Sequence, residues 1–403
     1  MIKAVVVLLA LVALASAAQY QVRVRRGDPT QLSGLHEEDA NELSASPDGR
    51  LLLFEAQSEE TLRQRLLIAE GRGRRSDEGD FVIAKVRPVS INVTEEDVGS
   101  WGLDRIDQRS LPLNDVYAPI ATGAGVTAWV VDTGVEPSHF DFAGRASNDF
   151  NSYEPPYDCD GHGTHVASTL GGLQYGVARS VRIRAIKVLD CGGSGTTFTV
   201  AQGLEHILAR LTGRDVINLS LGFEGRDSVI ESILDDLIAA GAFVVASAGN
   251  ADKSACTHFP SSSGDVVSVA ASTISDARAS FSNYGTCVDL FAPGSSIRAA
   301  WLQGTTRSLS GTSMSSPHVA GVGALLMQLN PFSTREQIFQ LMLTSSTKDV
   351  ISSAQDTPNR LVYIPSTNTP PPATSSSQPS PPNGGARTVC SFVALAIACL
   401  LVL

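Results

Sequence analysis

The sequence predicts an α/β fold, with a mostly parallel sheet flanked by helices and a small α+β module in front of it. Three observations carry this. From Trp101 onward, apolar runs at 126–131, 181–189, 215–219, 243–246 and 266–270 alternate with helix-like stretches at 165–170, 199–211 and 229–240, the rhythm of strands joined by crossover helices. The runs at 126–131, 243–246 and 266–270 are apolar at nearly every position rather than at every second one, as strands covered on both faces are. Before residue 90 the rhythm differs, with a strand, a helix and a strand within about 70 residues.

The elements follow in chain order. Residues 1–18 place one lysine before an apolar run at 4–15 and end in Ser16, Ala17 and Ala18, the layout of a secretory signal peptide. Residues 19–93 form the small module. Positions 20–24 alternate as a strand, 51–56 are a second apolar run, and 81–86 alternate again. Ser58 stands where it can cap a helix carrying Leu62, Leu66 and Leu67 on one face. Arg72, Gly73, Arg74 and Arg75 form a dibasic run, read as a solvated loop, with a cleavage site as the alternative. Residues 94–364 hold the α/β body.

Residues 365–388 are a Pro/Ser/Thr-rich linker, and 389–403 are an apolar tail of 15 residues, short of the about 20 that span a bilayer. Small residues, a polar spacer and a terminal apolar tail are the shape of a GPI-attachment signal. A site near residues 375–377 fits the spacer best, and a tail that simply anchors or is trimmed is the alternative. The expected location is therefore extracellular, with possible lipid attachment at the cell surface and a monomeric state.

Secretion bears on the cysteines. Cys159, Cys191, Cys256 and Cys287 lie in the body, and an even set in an oxidising compartment implies disulfides, with three pairings open. The formal net charge is −11, and residues 91–368 hold 28 acidic against 17 basic side chains. That balance argues against a nucleic-acid partner and is compatible with cation binding.

Three segments carry chemistry. Residues 126–140 read VTAWVVDTGVEPSHF, 160–168 read DGHGTHVAS, and 311–321 read GTSMSSPHVAG. Asp132 ends an apolar strand, and the carboxyl ends of strands are where open α/β sheets place their sites. A DTG tripeptide also occurs in aspartic proteases, but no second copy is present. His162 lies between glycines that let the chain approach closely and turn into a helix. His165 is read as a core histidine, with a His-x-x-His metal pair as the alternative. Ser313 precedes an apolar helix, and Pro317 is expected near that helix's start. Its hydroxyl then sits at the positive end of a helix dipole. No G-x-S-x-G elbow surrounds it, which excludes a lipase-like hydrolase.

The order Asp, His, Ser with these flanks resembles the subtilisin-like serine proteases, in their proteinase K and aqualysin branch, with cysteine placement similar to convertase relatives. WGLDRIDQRSLPL, GVARS, KVLDCGGSGTT, ASFSNYGTCVDLFAPG and PNRLVY strengthen the resemblance over about 101–365. It implies a subtilisin-like fold behind a ferredoxin-like propeptide, and a catalytic triad of Asp132, His162 and Ser313. The base would be the first histidine, and Asn250 would donate to the oxyanion beside the Ser313 backbone. Substrate would lie as an extended strand between Gly192, Gly193, Ser194, Gly195 on one side and Ser220, Leu221, Gly222 on the other. Ala248, Gly249 and His258 would line the primary pocket, with no acid at its base and so a broad or apolar preference.

The resemblance also implies the pairs Cys159–Cys191 and Cys256–Cys287. It implies structural calcium, at Asp289 with the carbonyls of Gly264 and Val266, and at Asp104, Asp107 and Gln108. Maturation is expected within 91–95, with the propeptide as an intramolecular inhibitor of peptide hydrolysis. The rival expectation is a self-processed fold that acts mainly as a binding protein with its propeptide retained. Asn92 and Asn218 begin glycosylation sequons, and Asn218, in the substrate strand, is expected to stay unmodified.

Overall fold

A computed structural model describes residues 18–24, 36–37, 40–46, 50–69, 81–91, 94–95 and 100–364. Most of the leader, the Arg72–Arg75 run, the Asn92 sequon, the linker and the tail lie outside the described residues.

The body is built on a nine-stranded sheet. Its order runs Thr347–Lys348, Arg360–Leu361, Leu290–Pro293, Val267–Ser272, Phe243–Ser247, Asp215–Leu219, Thr127–Asp132, Arg182–Lys187, Ala146–Asn151. Every pairing is parallel except the first, between Thr347–Lys348 and Arg360–Leu361. Both faces of its middle are covered, which is why strands such as Thr127–Asp132 and Phe243–Ser247 read as nearly unbroken apolar runs. Along the central strand, Ala128 and Val130 enter one core with Val166, Phe243 and Met314, while Trp129 and Val131 enter the other with Leu204, Ile217 and Leu234.

The helices Thr197–Leu208 and Ser228–Ala239 cover the second face. Thr196 caps the first by accepting from Thr199 N at 3.2 Å, and Asp227 caps the second by accepting from Val229 N and Ile230 N at 3.1 Å. Such caps contribute about 1 kcal/mol each. The helix Thr312–Leu329 is buried over its first sixteen residues.

The N-terminal module is an antiparallel sheet of His36–Glu37, Ala40–Ala45, Leu51–Ala56, Ala18–Val24 and Phe81–Lys85, in that order. Two strands beyond the expected pattern appear, because 36–37 and 40–45 are too polar to read as strands. Ala18, placed at the end of the leader, already pairs with Ala56. The helix Glu59–Ala69 begins as expected, with Ser58 Oγ accepting from Thr61 N at 3.1 Å. Val22, Phe54, Leu62, Leu66 and Ile83 form the module's own core, while Leu51, Ala84 and Val89 join the second core of the body.

A candidate serine hydrolase site

Asp132 is fully buried at the carboxyl end of the central strand. Its Oδ1 accepts from Thr133 N and from His162 Nδ1, each at 2.7 Å. A carboxylate only accepts, so the His162 proton sits on Nδ1 and Nε2 is the basic nitrogen. That nitrogen has no hydrogen-bond partner among the described residues. Burial works to lower the His162 pKa, but the charge and hydrogen bond of Asp132 and the charges of Asp160 and Asp158 together raise it.

His162 is the first residue of the helix His162–Gly171. Gly161 before it has φ +111°, and a Cβ there would fall 2.4 Å from the Trp301 ring, so the turn into the helix requires glycine. Asp158 ties this turn together: Oδ1 accepts from Thr133 Oγ1, Asp160 N and Gly161 N, and Oδ2 from Thr164 N and Oγ1. Lys187, beside Asp132 in register, donates from its buried Nζ to the carbonyls of Thr133 and Leu189 at 2.8 and 2.9 Å. His165 is a core residue. Its Nε2 meets the carbonyls of Ile297 and Arg307 at 2.9 and 3.1 Å, and burial pulls it down to about 3.

Leu219 pairs with Val131, which sets Ser220 beside the end of the Asp132 strand. Ser313 is joined to Ser220 in both directions. Ser313 Oγ donates to the Ser220 carbonyl at 3.2 Å, and Ser220 Oγ donates to the Ser313 carbonyl at 2.8 Å. Pro317 explains the second bond. It stands in the second turn of the helix rather than at its start, lacks an N–H, and so leaves the carbonyl four residues back, that of Ser313, without its helical donor. Asn250 Oδ1 accepts from both Thr312 N and Thr312 Oγ1 at 2.8 Å, and Gly249 N donates to Thr312 Oγ1 at 3.1 Å. The amide oxygen of Asn250 is thereby fixed toward the start of the helix that presents Ser313. A hydroxyl at a helix N-terminus, a buried Asp–His pair and an oriented amide are the parts of acyl transfer.

Residues 123–364 match the sequence pattern of the Subtilase family. An extracellular serine proteinase of Thermus sp. (strain Rt41A) is 46% identical over 272 residues, covering 66% of this chain and 66% of the relative. An alkaline serine exoprotease A of Vibrio alginolyticus is 42% identical, over 65% of this chain and 50% of the relative. The chain thus spans about two thirds and one half of these relatives. A crystal structure of a cold-adapted subtilisin-like serine proteinase superposes with a TM-score of 0.64 at 44% identity, covering 66% of this chain and 97% of that one.

The chain belongs to the subtilase family.

In this subtilase the residues expected to flank substrate are already paired. Ser194, Gly195 and Thr196 form an antiparallel ladder with Ser90, Val89 and Pro88 of the N-terminal segment. Ile91 N donates to the Gly193 carbonyl at 3.1 Å, and Ser90 bridges Gly222 from the other side. The segment thus lies between the two predicted substrate strands. Gly192 stands exposed at the turn before them, its N–H on Asp190 Oδ1 at 2.8 Å, and Leu221 is buried. Ala248 is buried behind the cleft, and Asn283 Nδ2 donates to its carbonyl at 2.8 Å. The His258 ring lies against Gly222 and Gly249, within 2.2 and 3.0 Å of where their side chains would begin. Burial pulls His258 down to about 4. Glu224 lies opposite His258 and pairs with Lys253.

Both expected disulfides are present, Cys159–Cys191 and Cys256–Cys287, with Cα atoms 5.0 and 5.2 Å apart. The residues assigned to calcium suit a hard cation. Asp104 Oδ2 accepts from Asp115 N at 2.6 Å, while its buried Oδ1 has no partner among the described residues. Asp107 Oδ2 accepts from Ala118 N at 3.0 Å, and burial, with the charge of Asp104 adding, pushes Asp107 up to about 6. Gln108 turns its Nε2 onto the carbonyls of Ser110 and Pro112. Asp289 accepts from Ser268 N at 2.8 Å and is pushed up to about 6 by burial. Among the described residues no three His, Cys, Asp or Glu side chains converge on one point, so carbonyls, such as those of Gly264 and Val266, and water would complete either shell. Asn218 is buried, donating to Ser220 Oγ and accepting from Ser316 Oγ, which leaves no room for a glycan.

Sequence reasoning missed Asp158, Lys187 and Thr312. A lysine directly before the apolar pair Val188 and Leu189, within the strand-like run 181–189, was the available signal for Lys187. Asp158 is a short polar residue in a loop and Thr312 opens a helix, and only the fold shows what they bind.

Proposed function

We propose that this chain is a secreted serine endopeptidase made as a self-processing zymogen. The observation that carries this is the buried 2.7 Å Asp132–His162 pair beside Ser313, with the chain's own N-terminal segment lying where substrate would lie. His162 Nε2 takes the Ser313 proton as Oγ bonds to the peptide carbonyl carbon. The resulting oxyanion is held by Asn250 Nδ2 and the Ser313 backbone N–H. His162 then gives the proton to the leaving amine, and water hydrolyses the ester by the same steps. The strand order of the N-terminal module, with Ala18–Val24 between Leu51–Ala56 and Phe81–Lys85 and all pairs antiparallel, supports the ferredoxin-like reading of a propeptide.

The bond cut in maturation is expected within 91–95, and two contacts support that reading. Ile91 is held at Gly193, and Thr94 pairs with Ser310, three residues before Ser313. Both contacts support a cut close to Ser313, within the expected 91–95. Replacing Ser313 by alanine is the test: Ser313→Ala should abolish casein hydrolysis, labelling by a serine-directed probe, and cleavage within 91–95. Self-processing at the wild-type yield in that variant would overturn the assignment.

The alternative, a binding protein that keeps its propeptide, draws on one observation. Arg23 of the module is 6% exposed and meets Glu205 at 2.5 Å, Asp236 at 2.8 Å and Ser232 Oγ at 2.9 Å on the body. Casein that stays intact while the processed module co-purifies would favour it. Calcium at Asp104/Asp107 and at Asp289, secretion through residues 1–18 and a lipid anchor near 375–377 belong to the same proposal. Release of the protein from expressing cells by phosphatidylinositol-specific phospholipase tests the anchor.

A further inference from the structure

The candidate site lies at the carboxyl ends of the neighbouring strands Thr127–Asp132 and Asp215–Leu219. Their opposite ends enclose a separate cavity of about 650 Å3, lined by Arg145, Arg182 and Arg214 together with Thr127, Ser147 and Thr212. No Asp or Glu contributes to its lining, in a protein whose net charge is −11.

The register explains the convergence. Thr127 opens the central strand, with Arg182 beside it on one side and Asp215 on the other. Neighbouring strands lie about 4.8 Å apart, so Arg182 and the chain entering Asp215 are about 10 Å apart across the cavity mouth. Two arginine side chains can meet one ligand over that span.

The nearby acids are otherwise engaged. Asp215 accepts from Trp129 Nε1, Thr212 N, Thr212 Oγ1 and Gly213 N. Asp149 pairs with Arg184 and accepts from Ser147 Oγ. Asp141 accepts from Ser168 Oγ and Gln174 N. Arg145 donates to the carbonyls of Gly171 and Val181 at 2.7 and 3.1 Å and to that of Asp141 at 3.3 Å, while its buried Nε has no acceptor among the described residues. The guanidinium groups of Arg182 and Arg214 make no hydrogen bond or ion pair with any described residue.

Guanidinium groups match tetrahedral oxyanions in a bidentate way and hold them more firmly than neutral donors do. A cavity of this size falls in the range that takes whole small ligands, and a lone oxyanion would fill little of it. We propose that the cavity binds a ligand carrying two or more phosphate or sulfate groups. Arg182 and Arg214 clamp the anionic groups, and Arg145 lines the cavity between structural carbonyls. Thr127 and Asp132 are five residues apart, about 17 Å along the strand, so such a ligand leaves the substrate cleft open. It joins the ends of adjacent strands and therefore stabilises the folded state.

The test uses the full chain at saturating calcium, with sucrose octasulfate and fructose 1,6-bisphosphate as probes, read by thermal melting and titration calorimetry. At least one probe should raise Tm with a submillimolar Kd that weakens as salt rises. A response to the octasulfate alone assigns sulfate esters, and one to the bisphosphate alone assigns phosphate esters. The double variant Arg182→Gln/Arg214→Gln should keep the ligand-free Tm and weaken Kd at least tenfold. If that variant does not fold, Arg214→Lys, which keeps the charge and loses the fork, should still weaken Kd several-fold. No shift with either probe, or an unchanged Kd in the folded variants, overturns the proposal.

Discussion

The catalytic centre and the seat of the N-terminal module are held by different kinds of interaction. Around Ser313 the bonds are short, buried and tied to backbone: Asn250 to Thr312, Ser220 to Ser313 in both directions, Asp158 to the His162 turn. The module rests on the body through the apolar contacts of Leu51, Ala84 and Val89, the backbone ladder at 88–90 and, distinctively, charged and polar side chains. Arg23 reaches Glu205 and Asp236, and Gln21 Nε2 donates to Asp227 Oδ1 at 2.8 Å. Arg87 lies over Phe223 and near Asp227, while its backbone exchanges hydrogen bonds with Thr197. A site that must hold one geometry through many turnovers gains from buried, fully satisfied bonds. A partner that must leave gains from ion pairs, which water and salt can replace once the chain is cut.

The largest test of that contrast is at the oxyanion donor. Asn250→Ala should lower kcat by about 100-fold or more with little change in KM, because the donor acts on charge that develops only in the transition state. An unchanged kcat would remove Asn250 from the site. Thr312→Val should reproduce part of this loss, because Thr312 Oγ1 holds the Asn250 amide without touching substrate.

The acid limb of activity comes next. The folded environment raises His162 above its ordinary value near 6.5, so the proton that disables the base binds at a higher pH than in a free imidazole. kcat/KM should therefore fall about tenfold per pH unit below an apparent pKa that lies above 6.5. Stability runs the opposite way with pH: the contribution of this histidine is full below its unfolded pKa and is lost as pH rises through the folded one. A kcat/KM profile flat down to pH 5.5 would contradict both statements.

These two regions were unequally legible in the sequence. The residues proposed as a triad stood out because each sits in a short segment whose neighbours do structural work, such as Gly161 before His162. The strands 215–219 and 243–247 were readable to within a residue because burial on both faces erases alternation. What holds the triad was not readable. Asp158 and Thr312 act across 25 to 62 positions of sequence separation, and no local pattern encodes such pairs. The module's strands 36–37 and 40–45 were hidden for a different reason, since an edge of a small antiparallel sheet has little apolar surface to display.

On the ionic side, Arg23→Met keeps the side-chain stem and removes the charge. Glu205, 10% exposed, then loses the guanidinium it faces on the module. Losing a partner for a nearly buried charge is costly, so the dissociation of the processed module should quicken at least tenfold. The release of activity after processing measures it. Raising salt from 0.1 to 1 M should move the wild type in the same direction and the variant less. Equal salt responses would mean that Arg23 does not carry the ionic hold.

The smallest effect is expected where neither region is touched. Asp107 and Asp289 are both pushed up to about 6 by burial, from an unfolded value near 3.8. A raised carboxylate stabilises the fold while it is protonated, so without calcium its contribution is lost as pH climbs from about 4 to 6. A cation bound at either site competes with that proton. Calcium should therefore raise Tm only slightly at pH 5 and by several degrees at pH 7.5, with kcat and the module's release rate unchanged at a temperature well below melting. Melting curves with chelator and with added calcium at the two pH values decide it. Superimposed curves at pH 7.5 would eliminate both sites, and a calcium-dependent kcat at that temperature would mean that the cation acts on the catalytic network after all.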